Sequence, residues 1–179
     1  MKIVIASDLH GSAYYTERVL AYFRDTQAQL LVLLGDIYNH GPRNPFPKDY
    51  APMRVAELLN AVTDRMIVVK GNCDSEVDQM ISSFTFVPMA QLYADGRIVT
   101  CTHGHVYHKD ALPPCVGNIL FYGHYHVAFA ERQGDIIVAN PGSAALPKEN
   151  MPHSCMLLDE SGIVCHDLDT GEQVFRLDC

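Results

Sequence analysis

Short apolar runs recur along the chain, and most of them are closed by glycine, asparagine or aspartate. Runs of roughly four to eight residues bounded by turn formers are the pattern of buried strands. Strands are therefore expected at Lys2–Ser7, Leu30–Gly35, Met66–Lys70, Gln91–Tyr93, Arg97–Thr102, Ile119–Tyr122, Ala128–Arg132, Asp135–Ala139, Ser154–Asp159, Ile163–Leu168 and Gln173–Leu177. Helical spacing replaces this pattern in two places. Tyr15, Val19, Leu20, Ala21 and Phe23 form one stripe, and Val55, Leu58, Leu59 and Val62 form another within Arg54–Val62. A third helix is expected over Asp74–Ser82. The first half alternates strand and helix and predicts a parallel sheet. From Ile119 onward strands and turns such as "RQGD" and "DESG" predict antiparallel pairing. The expected fold is a two-sheet α/β sandwich with flanking helices, in one domain over residues 1–179. The Gly- and Pro-rich stretch Gly41–Pro52 reads as an ordered surface loop within it.

The polar residues are concentrated where these runs end. The first is followed by "SDLHG" with Asp8 and His10, the second by "GDIYNHG" with Asp36, and the third by "GNCD" with Asn72, Cys73 and Asp74. Later runs end in "THGH", with His103 and His105, and in "GHYH", with His124 and His126. Taken singly, each motif has a plain structural reading: Asp8 as a helix N-cap, the Gly-Asp and Gly-Asn pairs as turns, the paired histidines as ordinary strand residues. Their recurrence at the same place on successive strands points to chemistry instead, because ligand sites of open α/β sheets lie beyond the carboxyl ends of the strands. Asp, His and Asn together suit Mn²⁺, Fe or Zn²⁺, and residues two apart on extended backbone project to one side, where they can chelate one ion.

Charge sharpens this reading. The 179 residues, about one domain's length, carry 13 basic and 21 acidic side chains, for a net charge of −8. No basic stripe is visible, so nucleic acid is not expected as a stable partner. A protein of this balance that handles phosphate needs positive charge from another source, and a metal ion is one. No apolar run approaches a membrane span. The N-terminal run is ended by Asp8, short of a signal-peptide core, so an unprocessed cytoplasmic protein is expected. The six cysteines show no C-x-x-C spacing, which argues against a zinc ribbon or a disulfide framework. Most are expected to be buried thiols, with Cys73 the exception.

The ordered set D-x-H, G-D, G-N-C-D, H and G-H-x-H, spanning Asp8 to His126, resembles the calcineurin-like metallophosphoesterase family. "NHGPRN" after Asp36 and "NPGS" at Asn140–Ser143 resemble its small bacterial phosphodiesterases, which are little more than the catalytic core. The resemblance implies two divalent ions, Mn²⁺ first, with Zn²⁺, Fe²⁺ or Ni²⁺ as alternatives. Asp8, His10, Asp36 and His126 would hold one, and Asp36, Asn72, His103 and His124 the other, with Asp36 bridging. It further implies hydrolysis of small phosphodiesters by a metal-bridging hydroxide. The wider family has His where Cys73 stands, with the following acid, here Asp74, orienting it. A thiol is a weaker donor, so substrates whose leaving group needs little proton assistance are expected. Asn39, Arg43 and His105 are candidate substrate contacts, while His108, His153 and His166 read as ordinary packing or surface residues. Two rival readings are a non-catalytic scaffold or interaction module on the same fold, and a weak nuclease. Self-association is left open.

Overall fold

The structure, a computed structural model, describes residues 1–179. Strands β1 (Ile3–Ala6), β2 (Leu30–Leu33), β3 (Met66–Val69) and β4 (Phe86–Val87) run parallel and adjacent. They are extended across β1 by the antiparallel strands β10 (Ser154–Leu158), β11 (Gly162–Asp167) and β12 (Gln173–Asp178). The second sheet contains β5 (Ala90–Ala94), β6 (Arg97–Thr102), β7 (Ile119–Tyr122), β8 (Ala128–Gln133) and β9 (Ile136–Pro141), in the order β5-β6-β7-β9-β8.

Side-chain alternation along the strands explains the layering. In β1, Ile3 and Ile5 enter the layer between the sheets, where they meet Val32, Leu34, Ile119, Phe121 and Met156. Val4 and Ala6 face the other way, with Leu31 and Leu33, onto helices α1 (Ala13–Asp25) and α2 (Pro52–Asn60). The expected stripe of α1 buries Tyr15, Val19, Leu20 and Phe23, and Ser12 caps the helix by accepting a hydrogen bond from Tyr15 N at 3.2 Å. The helices flank one side only. On the outer face of the smaller sheet, Leu120, Tyr122 and Val138 pack with Phe129 and Ile136 instead.

Four expectations need correction. Antiparallel pairing does not hold throughout the second half, because β9 lies parallel to β7 and between it and β8. The turn at Gly134 does make a hairpin of β8 and β9. But β9 is buried along nearly its whole length, while β8 ends in exposed residues, so burial draws β9 inward and leaves β8 at the edge. The third helix shrinks to α3 (Glu76–Gln79), which buries no residue: Val77 and Met80 face solvent, and no packing sustains further turns. Strand β4 was not anticipated; it is two residues long and exists by pairing with β3. Finally, only Cys101, Cys155 and Cys165 are buried, with Cys115 and Cys179 exposed and Cys73 half-buried; all six are free thiols. No helix is long and apolar enough to cross a membrane.

Candidate metal centre

The loops that leave β1, β2, β3, β6 and β7 meet at one rim of the sandwich. The first two are zipped together by backbone hydrogen bonds: Asp8 N to Gly35 O at 3.1 Å, His10 N to Asp36 O at 2.9 Å and Gly11 N to Ile37 O at 2.8 Å. Gly123 N donates to His103 O at 2.8 Å, joining the last two. Asp8, His10, Asp36, His124 and His126 all have positive φ, between 47° and 67°. Such conformations cost about 1–3 kcal/mol each in non-glycine residues, and they persist where the surroundings over-determine them.

Two glycines make the close approach of these loops feasible. A Cβ on Gly123 would lie 1.9 Å from Ser7 Oγ, and one on Gly71 would lie 2.2 Å from Asp36 Oδ1 and 2.4 Å from Asp36 N. Gly71→Ala is therefore expected to displace the Asp36 carboxylate and lower turnover at least tenfold, with the far-UV circular dichroism of the sheets retained. Kinetics paired with elemental analysis check this, and full activity in a folded Gly71→Ala protein would show that the loop relaxes freely.

The histidine rings are fixed from behind. Nδ1 of His10 lies 2.7 Å from Asn39 O, Nδ1 of His103 2.7 Å from Leu34 O, and Nδ1 of His126 2.6 Å from Leu146 O. Each Nδ1–H can donate only to that carbonyl, which sets the tautomer and leaves Nε2 with its lone pair directed inward. These lone pairs converge on carboxylate oxygens. His126 Nε2 is 3.1 Å and His10 Nε2 3.5 Å from Asp8 Oδ1, and the two Nε2 atoms are 3.2 Å apart. Asp8 Oδ1 is buried and accepts no hydrogen bond, whereas Oδ2 accepts from Ser7 Oγ at 2.6 Å and His124 N at 3.0 Å. A second group forms around Asp36, with His103 Nε2 3.5 Å from Oδ1 and 3.0 Å from Asn72 Oδ1. His10 Nε2 lies 3.9 Å from the other Asp36 oxygen. The Asp8–His10–His126 and Asp8–Asp36–His103 donor atoms are each close enough to share one ion. A set of inward lone pairs around an unpartnered buried carboxylate oxygen fits a divalent cation.

The electrostatics agree with this fit. Burial opposes ionisation of Asp8, but His10 and His126 outweigh it and hold the carboxyl well below its usual range. Burial likewise disfavours charge on His103, yet the Asp36 and Asp8 carboxylates lift its pKa to about 9. The pocket thus stabilises positive charge at the same atoms that face the carboxylates. His124 is pushed down by burial and by neighbouring His103; its ring centroid is 5.2 Å from that of His103.

The remaining sequence-named residues fall into different places. Cys73 N donates to Asp36 Oδ1 at 2.8 Å, and burial reinforced by the Asp36 carboxylate pushes the thiol up to about 12. Asp74 points away from position 73: its oxygens accept from Asp36 N at 2.8 Å, Gly71 N at 2.7 Å and Ile37 N at 2.7 Å. Asp74 thus braces two loops, in place of the role the resemblance implied for it of orienting a side chain at 73. Burial pushes Asp74 up to about 6 against those three amides. Asn39 and Arg43 line a cleft of about 650 Å³ together with His10, Asp36, Asn72 and His126. His105 lies outside it, its ring 5.3 Å from that of His103. His153 stacks on Tyr15, His166 packs by Tyr22 and His108 lies near Tyr122 and Tyr125, all away from the carboxylates.

Three further residues contribute: Lys148 carries no motif signal, while Ser7 and Ser143 lie inside quoted motifs whose roles the pattern did not assign. Lys148 lines the cleft from a loop far along the chain, anchored by its N–H to His126 O at 3.0 Å. Ser7 holds Asp8 Oδ2. Ser143 Oγ donates to Asp8 O at 2.8 Å and accepts from Leu146 N at 2.8 Å, so "NPGS" ties the first loop to the loop carrying Lys148.

Comparison with known proteins supports the same reading. The family model described as the calcineurin-like phosphoesterase superfamily domain matches residues 1–162. The chain is 48% identical over 161 residues to phosphodiesterase YfcE of Escherichia coli K12, covering 89% of this chain and 88% of that protein. It is 27% identical over 169 residues to the probable metallophosphoesterase YsnB of Bacillus subtilis, covering 88% and 83%. The solved structure of E. coli YfcE, a phosphoesterase, superposes with a TM-score of 0.95 at 42% identity, over 99% of each chain. With the sandwich, the strand-end candidate ligands and these relatives in agreement, the chain belongs to the calcineurin-like phosphoesterase superfamily and is a hydrolytic phosphoesterase.

Proposed function

We propose that this protein is a two-metal phosphodiesterase acting on small phosphodiesters, with Mn²⁺ as the first ion to test. The observation that carries the reading is the convergence of His10 and His126 Nε2 on the unpartnered Asp8 Oδ1, beside the Asp36–His103–Asn72 group. Asp8, His10, Asp36 and His126 would hold one ion, and Asp36, Asn72, His103 and His124 the other. When bound, two divalent ions supply Lewis-acid charge and lower the pKa of water. The chain supplies the rest. Backbone carbonyls behind three histidines keep the ligands oriented without rearrangement. Arg43 and Lys148 place cationic side chains on the cleft where phosphoryl oxygens would lie. The Cys73 thiol, protonated and a weak donor, offers little help to a basic leaving group, which favours diesters of acidic alcohols. The intact ligand set weighs against a scaffold role, and the net charge of −8 weighs against a nuclease.

Exhaustive chelation is expected to abolish turnover of a nitrophenyl diester, and Mn²⁺ to restore it more fully than Zn²⁺, Fe²⁺ or Ni²⁺. Elemental analysis of the reloaded protein should approach two ions per chain. Turnover that survives with no bound metal would overturn the reading, and a monoester preference would overturn the diester assignment.

A further inference from the structure

A second cavity of about 520 Å³ opens on the far side of Asn72, the residue that lines both spaces. The two differ in chemistry. The main cleft is polar, with Pro42 and Cys73 its only side chains other than imidazole, carboxylate, amide and cationic groups. The second is walled by Pro88, Val106 and Tyr107, together with Lys70, His103 and His105. Asp74 also lines it, with its carboxylate taken up by three backbone amides, and Lys70 adds a basic side chain.

The wall is held in place. Thr102 Oγ1 donates to Tyr107 O at 2.8 Å, closing the loop after β6 on itself. Gly104, at φ +110°, packs against the next loop so closely that a Cβ would lie 2.9 Å from Gly123 O. Val106 is thereby held with 55% of its surface exposed, unusually high for a valine on a tied-down loop. None of the three core clusters includes it. An apolar surface outside the core, on a tied loop beside a phosphoester site, is suited to a ligand's apolar group.

We propose that this second cavity seats one ester arm of the substrate, and that the arm is apolar and preferably aryl. The phosphoryl group would occupy the main cleft, and the Pro88–Val106–Tyr107 wall would select the arm. This deepens the proposed function and rests on it. A phosphodiester has two arms, and the molecule offers two adjoining spaces of opposite polarity, meeting at Asn72.

The test uses the metal-loaded protein and two non-hydrolysable probes, phenylphosphonate and methylphosphonate, as competitive inhibitors of diester turnover. Burying a ring against an apolar wall should tighten inhibition by about tenfold or more. Val106→Asn and Pro88→Ser remove apolar wall without adding charge. Each should cut the phenyl-to-methyl preference at least threefold and leave methylphosphonate inhibition unchanged. Both positions are exposed, and thermal melting confirms folding. Equal inhibition by the two probes in the wild type, or a phenyl preference untouched by both variants, would overturn the subsite. Absence of metal-dependent turnover in the wild type would instead overturn the phosphodiesterase reading on which it rests.

Discussion

Asp36→Asn is expected to lower kcat/KM for a phosphodiester by about 10³-fold, with a folded protein that binds less metal. The replacement is nearly isosteric, so its effect is electrostatic. Asp36 faces His103 through one oxygen and His10 through the other, at 3.5 and 3.9 Å. It is the residue placed between the two groups of candidate ligands. An amide keeps one acceptor but loses the charge, and it turns an N–H₂ toward one of the two groups. Burial opposes ionisation of Asp36, yet His103 pulls its pKa below the ordinary value, so the charged form is what the site is built around. Elemental analysis and steady-state kinetics on one preparation check this. Retention of two ions with turnover within tenfold of wild type would sink the bridging assignment.

Asp74→Ala should unfold the site from beneath. Three buried amides, those of Asp36, Ile37 and Gly71, would lose their common acceptor. Each stranded donor costs roughly 1–3 kcal/mol, so a loss of about 3–5 kcal/mol is expected, near the upper end for one substitution. Asp74→Asn should cost less, since its carbonyl oxygen keeps part of the network. Urea unfolding of the metal-free protein isolates this from the contribution of bound ions. A loss below about 1 kcal/mol in Asp74→Ala would mean that water or a rearranged loop replaces the carboxylate. The same geometry bears on Cys73. The Asp74 carboxylate braces the β2 and β3 loops, so the carboxylate within reach of the side chain at position 73 is that of Asp36.

These substitutions also separate what is local in the chain from what is not. Apart from β4, the strands of both sheets were legible because burial imposes a simple pattern on each: short apolar runs, with Ile3 and Ile5 on one face of β1 and Val4 and Ala6 on the other. The candidate ligands were legible for a related reason. The loops that leave neighbouring strands at one rim have little freedom in where they go, so Asp8, His10, Asp36, Asn72, His103, His124 and His126 could be read from their places at run ends before their proximity was known.

Other features depend on partners distant in the chain and have no local signature. β9 displaces β8 from the sheet interior because it is the more completely buried strand, a comparison that means nothing until both compete for one position beside β7. Strand β4 exists only because β3 offers it an edge, and α3 stops after four residues because no surface arrives to cover it. Asp74 lies two residues after Asn72, yet its oxygens are claimed by amides 37 and 38 residues earlier as well as by Gly71. Lys148 reaches the cleft through Ser143 and His126, and the Val106 wall stands beside Asn72 only because the two sheets are stacked. Periodicity and turn chemistry act over a few residues and so can be read along the chain. Which acceptor a buried amide finds, and which apolar wall adjoins a polar cleft, are settled by packing between segments that only the folded chain brings together.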